Sequence, residues 1–196
     1  MSATQPQKLF LVSKSPRRKQ LLEEMELHFE ILPANVEEIY PNHFSPVQIA
    51  EYLSQLKLST INFAEYAENA IFISCDTIVV LDDMILGKPK NAEEAANMLF
   101  QLSGKTHQVM SGITVANKEK TMTKHSITDV TFKQLSEQEI QHYVSHYQPF
   151  DKAGGYGIQE WIGLIGVTPI NGCFYNVMGL PTQLLAEMLT LFLPVL

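Results

Sequence analysis

Cysteine is scarce in this chain of 196 residues, which carries Cys75 and Cys173 and no others. The two lie far apart in the sequence and match neither a zinc-ligand spacing nor a redox pair. This excludes a disulfide-rich scaffold and a cysteine-based metal site. We expect two free thiols in a reducing compartment.

Long apolar runs are also missing. None approaches the roughly 18 residues that a membrane-spanning helix needs. The opening segment MSATQPQKLF lacks the positive stretch and the apolar stretch that make up a signal peptide. We therefore expect a cytoplasmic protein with no membrane partner.

Basic residues are few relative to acidic ones. The chain has 14 Lys and Arg and 21 Asp and Glu, which give a net charge of −7. A general nucleic-acid binder is usually basic, so a nucleic-acid polymer is not the expected partner. Four cations nevertheless cluster within LVSKSPRRKQLL (11–22), at positions 14, 17, 18 and 19. A local basic cluster on an acidic chain favours a small anionic ligand.

The basic cluster falls where a predicted strand runs into a predicted helix. Ser15 suits the N-cap and Pro16 suits the first helical position. A helix N-terminus already carries positive potential, so four cations there are unfavourable unless an anion binds. Free backbone N–H groups and arginine side chains at such a place are typical of a phosphate site. The alternative is a solvated run of charge.

The overall pattern predicts one domain over residues 1–196. Hydrophobic residues make up 45% of the chain and charged residues 18%, enough for a sizeable core. We predict an α/β (mixed α+β) fold with a central mixed, partly antiparallel sheet flanked by helices. The predicted strands cover 8–13, 28–32, 71–81, 106–117, 121–134, 163–170 and 173–179, the last two joined by an Asn171-Gly172 hairpin turn. The predicted helices cover 16–26, 46–67, 92–103, 136–146 and 181–192.

Asp76 is the most unusual residue of the apolar strand IFISCDTIVVL (71–81). Aspartate is depleted in strands and is rarely buried without a partner. An ionised carboxylate there needs a cation, a metal or a catalytic task. If Glu37 and Glu38 lay beside it, the three would form an oxygen-rich Mg²⁺ site. The alternatives are a strand-end aspartate with a local hydrogen bond and two ordinary surface glutamates.

Lys57 lies four residues from both Leu53 and Ile61, on the apolar face of its predicted helix. It either points inward or extends along the edge of that face to solvent.

Three further polar residues lie in predicted loops. Lys88 (in GKPK) and Lys152 (in DKAGG) are each placed to reach a phosphate or to be ordinary surface. Gln159 offers a donor and an acceptor, which would match the edge of uracil or thymine, or it too is ordinary surface.

Taken together, these segments resemble the Maf family of nucleoside-triphosphate pyrophosphatases. The resemblance follows the chain in order and covers nearly all of it. The matching segments are SKSPRRKQLL (13–22), PANVEE (33–38), CDTIVVL (75–81), ILGKPK (85–90), LSGKTHQV (102–109), VTFKQLS (130–136), DKAGGYGIQ (151–159) and NVMGLP (176–181).

The resemblance implies a fold of two lobes with a cleft between them, and a homodimer. It implies hydrolysis of a nucleoside triphosphate to the monophosphate and pyrophosphate, with Mg²⁺ or Mn²⁺ as cofactor. Asp76 would be the proton acceptor, assisted near the phosphates by Lys57 and Lys88, and Glu38 would hold the metal together with Asp76. The implied substrate-binding residues are Ser13, Ser15, Arg17, Arg18, Thr77 and Gln159.

Arg17 combined with Gln159 resembles the branch of the family that acts on dTTP and UTP. Two alternatives stay open. One is a pyrophosphatase acting on 7-methyl-GTP or inosine triphosphate. The other is a nucleotide-binding regulator of septum formation with little turnover.

Overall fold

The computed structural model describes residues 7–193. They divide into two compact units. The first contains the residues up to Asp76, Ser111–Ser126 and those from Gly179 onward, and the second contains Thr77–Met110 and Ile127–Met178.

Within the described residues, seven strands and seven α-helices follow the chain. The strands are β1 (Lys8–Val12), β2 (Phe29–Leu32), β3 (Ala70–Leu81), β4 (Met84–Leu86), β5 (Thr106–Ala116), β6 (Thr121–Phe132) and β7 (Val167–Asn171). The helices are α1 (Pro16–Glu24), α2 (Pro46–Leu58), α3 (Ala92–Leu102), α4 (Glu137–Tyr147), α5 (Trp161–Gly166), α6 (Phe174–Met178) and α7 (Thr182–Thr190). Short 3₁₀ turns cover Phe63–Glu65 and Ala153–Gly155.

The strands form one mixed sheet, which confirms the predicted α/β class. Its order is β2-β1-β3-β5-β6-β7, with β4 paired to β3. Strand β1 runs parallel to both β2 and β3, whereas the β3–β4 and β6–β7 pairs are antiparallel. No helix in the described part of the chain is long and apolar enough to cross a membrane.

Several predicted elements are confirmed together with their end signals. Helix α1 begins as predicted, because the Ser15 side chain accepts from the backbone N–H of Arg18 and Pro16 follows at the first helical position. Helix α4 begins with a capping box formed by Ser136 and Glu139. Strand β3 has the predicted apolar character and is buried over almost its whole length.

Three predicted elements are wrong in whole or in part. The helix predicted over 46–67 ends at Leu58, because the Thr60 hydroxyl turns back to the carbonyl of Lys57 and the Asn62 side chain caps a separate 3₁₀ turn. The strand predicted over 163–170 is confirmed only in its second half, as β7, and its first half belongs to α5, whereas the strand predicted over 173–179 is helix α6. The buried Asn176 amide donates to the Val109 carbonyl and the Thr128 hydroxyl, which ties α6 to β5 and β6.

Candidate active site

Two serine side chains stabilise the loop between β1 and α1 by accepting hydrogen bonds from nearby backbone N–H groups. The Ser13 hydroxyl accepts from the backbone N–H of Ser15 at 3.1 Å, and Ser15 caps α1. The Arg18 side chain is buried, and its Nε donates to the Gly179 carbonyl at 2.8 Å. Its Nη1 lies 3.4 Å from the Ser13 hydroxyl. The loop therefore fixes a guanidinium beside a helix N-terminus, where both favour an anion. Arg17 is half-buried.

Helix α2 lies unusually close to strand β5. A Cβ added at Gly112 would sit 2.1 Å from the backbone oxygen of Ala50, so a side chain at position 112 would push the helix away. The Ser54 hydroxyl also contacts the Thr114 hydroxyl at 2.7 Å, and the Ser74 hydroxyl donates to the Ser54 carbonyl at 2.7 Å. These contacts fix α2 against β3 and β5.

This close packing brings Lys57 to Asp76. Lys57 follows Ser54 by one helical turn, and Asp76 follows Ser74 by two residues, on the same face of β3. The Lys57 ammonium donates to Asp76 Oδ1 and lies 2.9 Å from Glu38 Oε1. Lys57 and Asp76 are only 8% and 5% exposed, whereas Glu38 is exposed. The inward orientation predicted for Lys57 is confirmed, and the buried carboxylate has the cation that its position requires.

The Gly179 carbonyl connects Arg18 on α1 to Cys75 on β3. The buried Cys75 thiol lies 3.4 Å from the Gly179 carbonyl oxygen. The same oxygen accepts the hydrogen bond from Arg18 Nε. Sequence reasoning missed Cys75 and Gly179 as parts of the site. Gly179 has a φ of +114°, a backbone conformation typical of glycine, and its place in NVMGLP was the one available signal.

The donor set of this site includes oxygen ligands of the kind that a divalent cation prefers. Glu38 and Asp76 supply two carboxylates, and no group of three His, Cys, Asp or Glu side chains in the described residues could hold a metal alone. Mg²⁺ is usually bound through one or two carboxylates together with substrate phosphates and waters. Both carboxylates contact the Lys57 ammonium in this structure, so a cation bound to them would need further ligands.

The remaining predicted residues belong to the second unit. Thr77 follows Asp76 along β3 and is half-buried, Lys88 is exposed after β4, and Gln159 is exposed near Ala153–Gly155. Lys152 is not an ordinary surface lysine. It is buried and ion-paired with Asp151 at 2.8 Å and with Glu160 at 3.1 Å.

The family described as Maf-like protein matches residues 8–192. A dTTP/UTP pyrophosphatase of Flavobacterium johnsoniae is 44% identical over 183 residues, which cover 93% of this chain and 94% of that protein. A dTTP/UTP pyrophosphatase of Cytophaga hutchinsonii is 46% identical over 95% of this chain and 85% of its own length. The protein of the same name from Porphyromonas gingivalis is 44% identical over 91% of this chain and 90% of its own.

Among solved structures, the Ham1 protein of Staphylococcus aureus gives a TM-score of 0.47 at 13% identity, over 64% of this chain and 72% of that one, a likeness from which nothing further follows. The family match spans nearly all of the described residues, and the relatives match most of the chain. The chain belongs to the Maf-like protein family.

Proposed function

We propose that this protein hydrolyses dTTP and UTP to the nucleoside monophosphate and pyrophosphate. The observation that carries the proposal is the buried Lys57 ammonium, which lies between Asp76 and Glu38 in the unit that also contains the buried Arg18 of α1. A buried carboxylate beside fixed cations suits hydrolysis of a highly charged anhydride. Relatives that share most of the chain carry the name of this activity.

In the proposed mechanism, Asp76 accepts a proton from the water that attacks the α-phosphorus. Arg18, Arg17 and the start of α1 bind phosphate oxygens, with Ser13 and Ser15 shaping the loop. Lys57 offsets negative charge as the bond between the α- and β-phosphates breaks, and Lys88 adds a second cation near the phosphates. Most of the rate enhancement would come from positioning and from these fixed charges.

Glu38 and Asp76 would hold a divalent cation together with the substrate phosphates. When bound, Mg²⁺ or Mn²⁺ supplies charge neutralisation and lowers the pKa of a bound water.

Base recognition is assigned to Thr77 and Gln159, with Arg17. The Gln159 carboxamide can donate to a carbonyl oxygen and accept from a ring N–H, which is the pattern that uracil and thymine present. A purine such as 7-methyl-guanine presents a different pattern. The homodimer, the cytoplasmic location and the action of residues 1–196 as one functional domain stay predictions.

The test is product analysis with dTTP, UTP, CTP, ATP, GTP, ITP and 7-methyl-GTP, each with Mg²⁺ and with Mn²⁺. We expect dTMP and UMP with pyrophosphate, and a loss of about 1,000-fold in kcat for Asp76→Asn. Asp83→Asn is the matched control, since it makes the same change in the exposed turn after β3, where Asn tolerates the positive φ.

Each alternative has its own outcome. Preference for 7-methyl-GTP or ITP would contradict the assignment of Gln159 while keeping the chemistry. Tight nucleotide binding without pyrophosphate release would favour the regulator of septum formation instead. With the proposed substrates, Gln159→Ala should raise KM for dTTP more than it changes kcat.

A further inference from the structure

Gln159 is presented by a tight turn in the second unit. The turn consists of Gly157–Glu160 and is closed by a hydrogen bond from the Glu160 N–H to the Gly157 carbonyl at 3.0 Å. Gln159 is exposed at its tip, whereas the neighbouring Ile158 is buried. We call this segment the Gln159 turn.

One hydroxyl group contacts both ends of the Gln159 turn. Tyr143, on α4, accepts a hydrogen bond from the Gly157 N–H at 2.9 Å and donates one to Glu160 Oε2. Its side chain is fully buried, and its ring stacks on Tyr147 with centroids 5.0 Å apart. Burial, reinforced by the hydrogen bond to Glu160, raises the pKa of Tyr143, so the hydroxyl keeps the proton that it donates.

The Glu160 carboxylate is held from its other side as well. Glu160 Oε1 lies 3.1 Å from the buried Lys152 ammonium, which also contacts Asp151. A Cβ added at Gly157 would sit 2.8 Å from the Glu160 carboxyl carbon and 3.1 Å from Lys152 Cε. The carboxylate therefore packs directly on the Gly157 backbone, and a larger residue at 157 would separate them.

We propose that Tyr143 is a positioning residue for base recognition, because its hydroxyl fixes both ends of the Gln159 turn. This inference rests on the proposed function, in which Gln159 contacts the pyrimidine. Tyr143 does not contact substrate in this scheme. It acts by holding the carboxamide of Gln159 in the orientation that the base requires, which lowers the conformational cost of binding.

The first test measures the turn without any nucleotide. In Tyr143→Phe the ring stays and the hydroxyl goes, so backbone amide exchange at 157–160 should accelerate about tenfold while exchange in β3 is unchanged. Tyr147→Phe makes the same change one helical turn along, on a more exposed ring, and should leave the exchange at 157–160 unaltered. Unchanged exchange in Tyr143→Phe would overturn the inference. If Tyr143→Phe does not fold, Glu160→Leu removes the group that accepts from the Tyr143 hydroxyl and should give the same local acceleration.

The second test is kinetic. For Tyr143→Phe we expect KM for dTTP and UTP to rise about fivefold with kcat within about twofold, a modest effect because the two lost hydrogen bonds belong to the turn and not to the substrate. Inhibition by inorganic tripolyphosphate, which has no base, should be unchanged. In a Gln159→Ala background, the same substitution should have no further effect on KM, because its effect passes through Gln159.

The outcomes separate the two proposals. If the wild-type protein hydrolyses dTTP and Gln159→Ala raises KM, but Tyr143→Phe does not, the positioning role is wrong and the function stands. Equal losses for tripolyphosphate and dTTP would also overturn it, since they indicate general damage. If the wild-type protein does not turn over dTTP or UTP, the proposed function and the link to base recognition fail together. Amide exchange then still decides whether Tyr143 fixes the turn.

Discussion

Each unit contains a buried lysine in contact with two carboxylates, and the two clusters differ in what surrounds them. In the first unit, Lys57 joins Asp76, from the middle of an apolar strand, to Glu38, from an exposed loop. In the second, Lys152 contacts its neighbour Asp151 and one carboxylate oxygen of Glu160. The other oxygen of Glu160 accepts a hydrogen bond from the Tyr143 hydroxyl. The first cluster connects segments that are distant in the sequence, and the second connects residues of one local loop. We expect the two clusters to differ in function although their charges are the same.

The largest effect should come from removing the two lysines separately. Lys57→Met keeps most of the side-chain volume but leaves Asp76 buried without this cation, and we expect kcat to fall about 1,000-fold. Lys152→Met should mainly raise KM and lower the melting temperature, because it loosens a loop. Lys124→Met, on the exposed side of β6, is the control for loss of charge. An equal loss of kcat in the Lys57 and Lys152 variants would remove the distinction between the clusters.

A smaller effect should follow from Gly112→Ala in the first unit. The added methyl group would meet the Ala50 carbonyl at 2.1 Å, so α2 must shift and Lys57 with it. We expect a loss of about 3 kcal/mol in the free energy of unfolding, as for overpacked sites. Gly87→Ala is the control, because nothing lies within 4 Å of a Cβ there. Urea denaturation of both variants measures the difference, and equal stability would contradict the close approach of α2 to β5.

The smallest effect concerns His107 in the second unit. Burial lowers the pKa of His107 to about 4, and Nε2 lies 2.7 Å from the Tyr156 hydroxyl. The folded protein therefore keeps this imidazole neutral down to about pH 4, whereas the unfolded chain takes up a proton below about pH 6.5. Stability is fully present above pH 6.5 and falls as the pH drops toward 4, with a loss of about 2 kcal/mol between pH 7 and 5.

The measurement is urea denaturation at pH 7 and pH 5. His107→Gln should show a smaller change between the two pH values than the wild-type protein. His28→Gln, which alters an exposed histidine, should behave like the wild-type protein. An identical pH dependence in the two variants would show that His107 is not the titrating group.

Much of the fold followed from local signals in the sequence. The unbroken apolar run of β3 and the caps at Ser15 and Ser136 are short-range features, and their elements formed where they were predicted. The failures came where a long-range contact decided the outcome. Asn171-Gly172 is a common hairpin signal, yet the following segment became α6, whose Asn176 amide is anchored on two strands. Neither strand lies near it in the sequence.

In the candidate site, too, local features were predicted and long-range contacts were not. The burial of Asp76 and the inward orientation of Lys57 followed from periodicity, but that they meet depends on the absence of a side chain at Gly112. The role of the Gly179 carbonyl could not be predicted, because every residue has a backbone oxygen and the residue type does not show what that oxygen contacts. Lys152 resembled a loop lysine in sequence, and its partner Glu160 lies eight residues away, too far for a local rule.

The close contact between Gly112 and Ala50 also limits how the first unit can move. Helix α2 cannot slide along β5 without collision, and Ser54 attaches it to both β3 and β5. The packing therefore prevents a register shift of this helix, which is a slow collective motion. If Lys57 changes partners during a catalytic cycle, it must do so by rotation about its own side-chain bonds. Such a step would move one side chain and leave the helix in place.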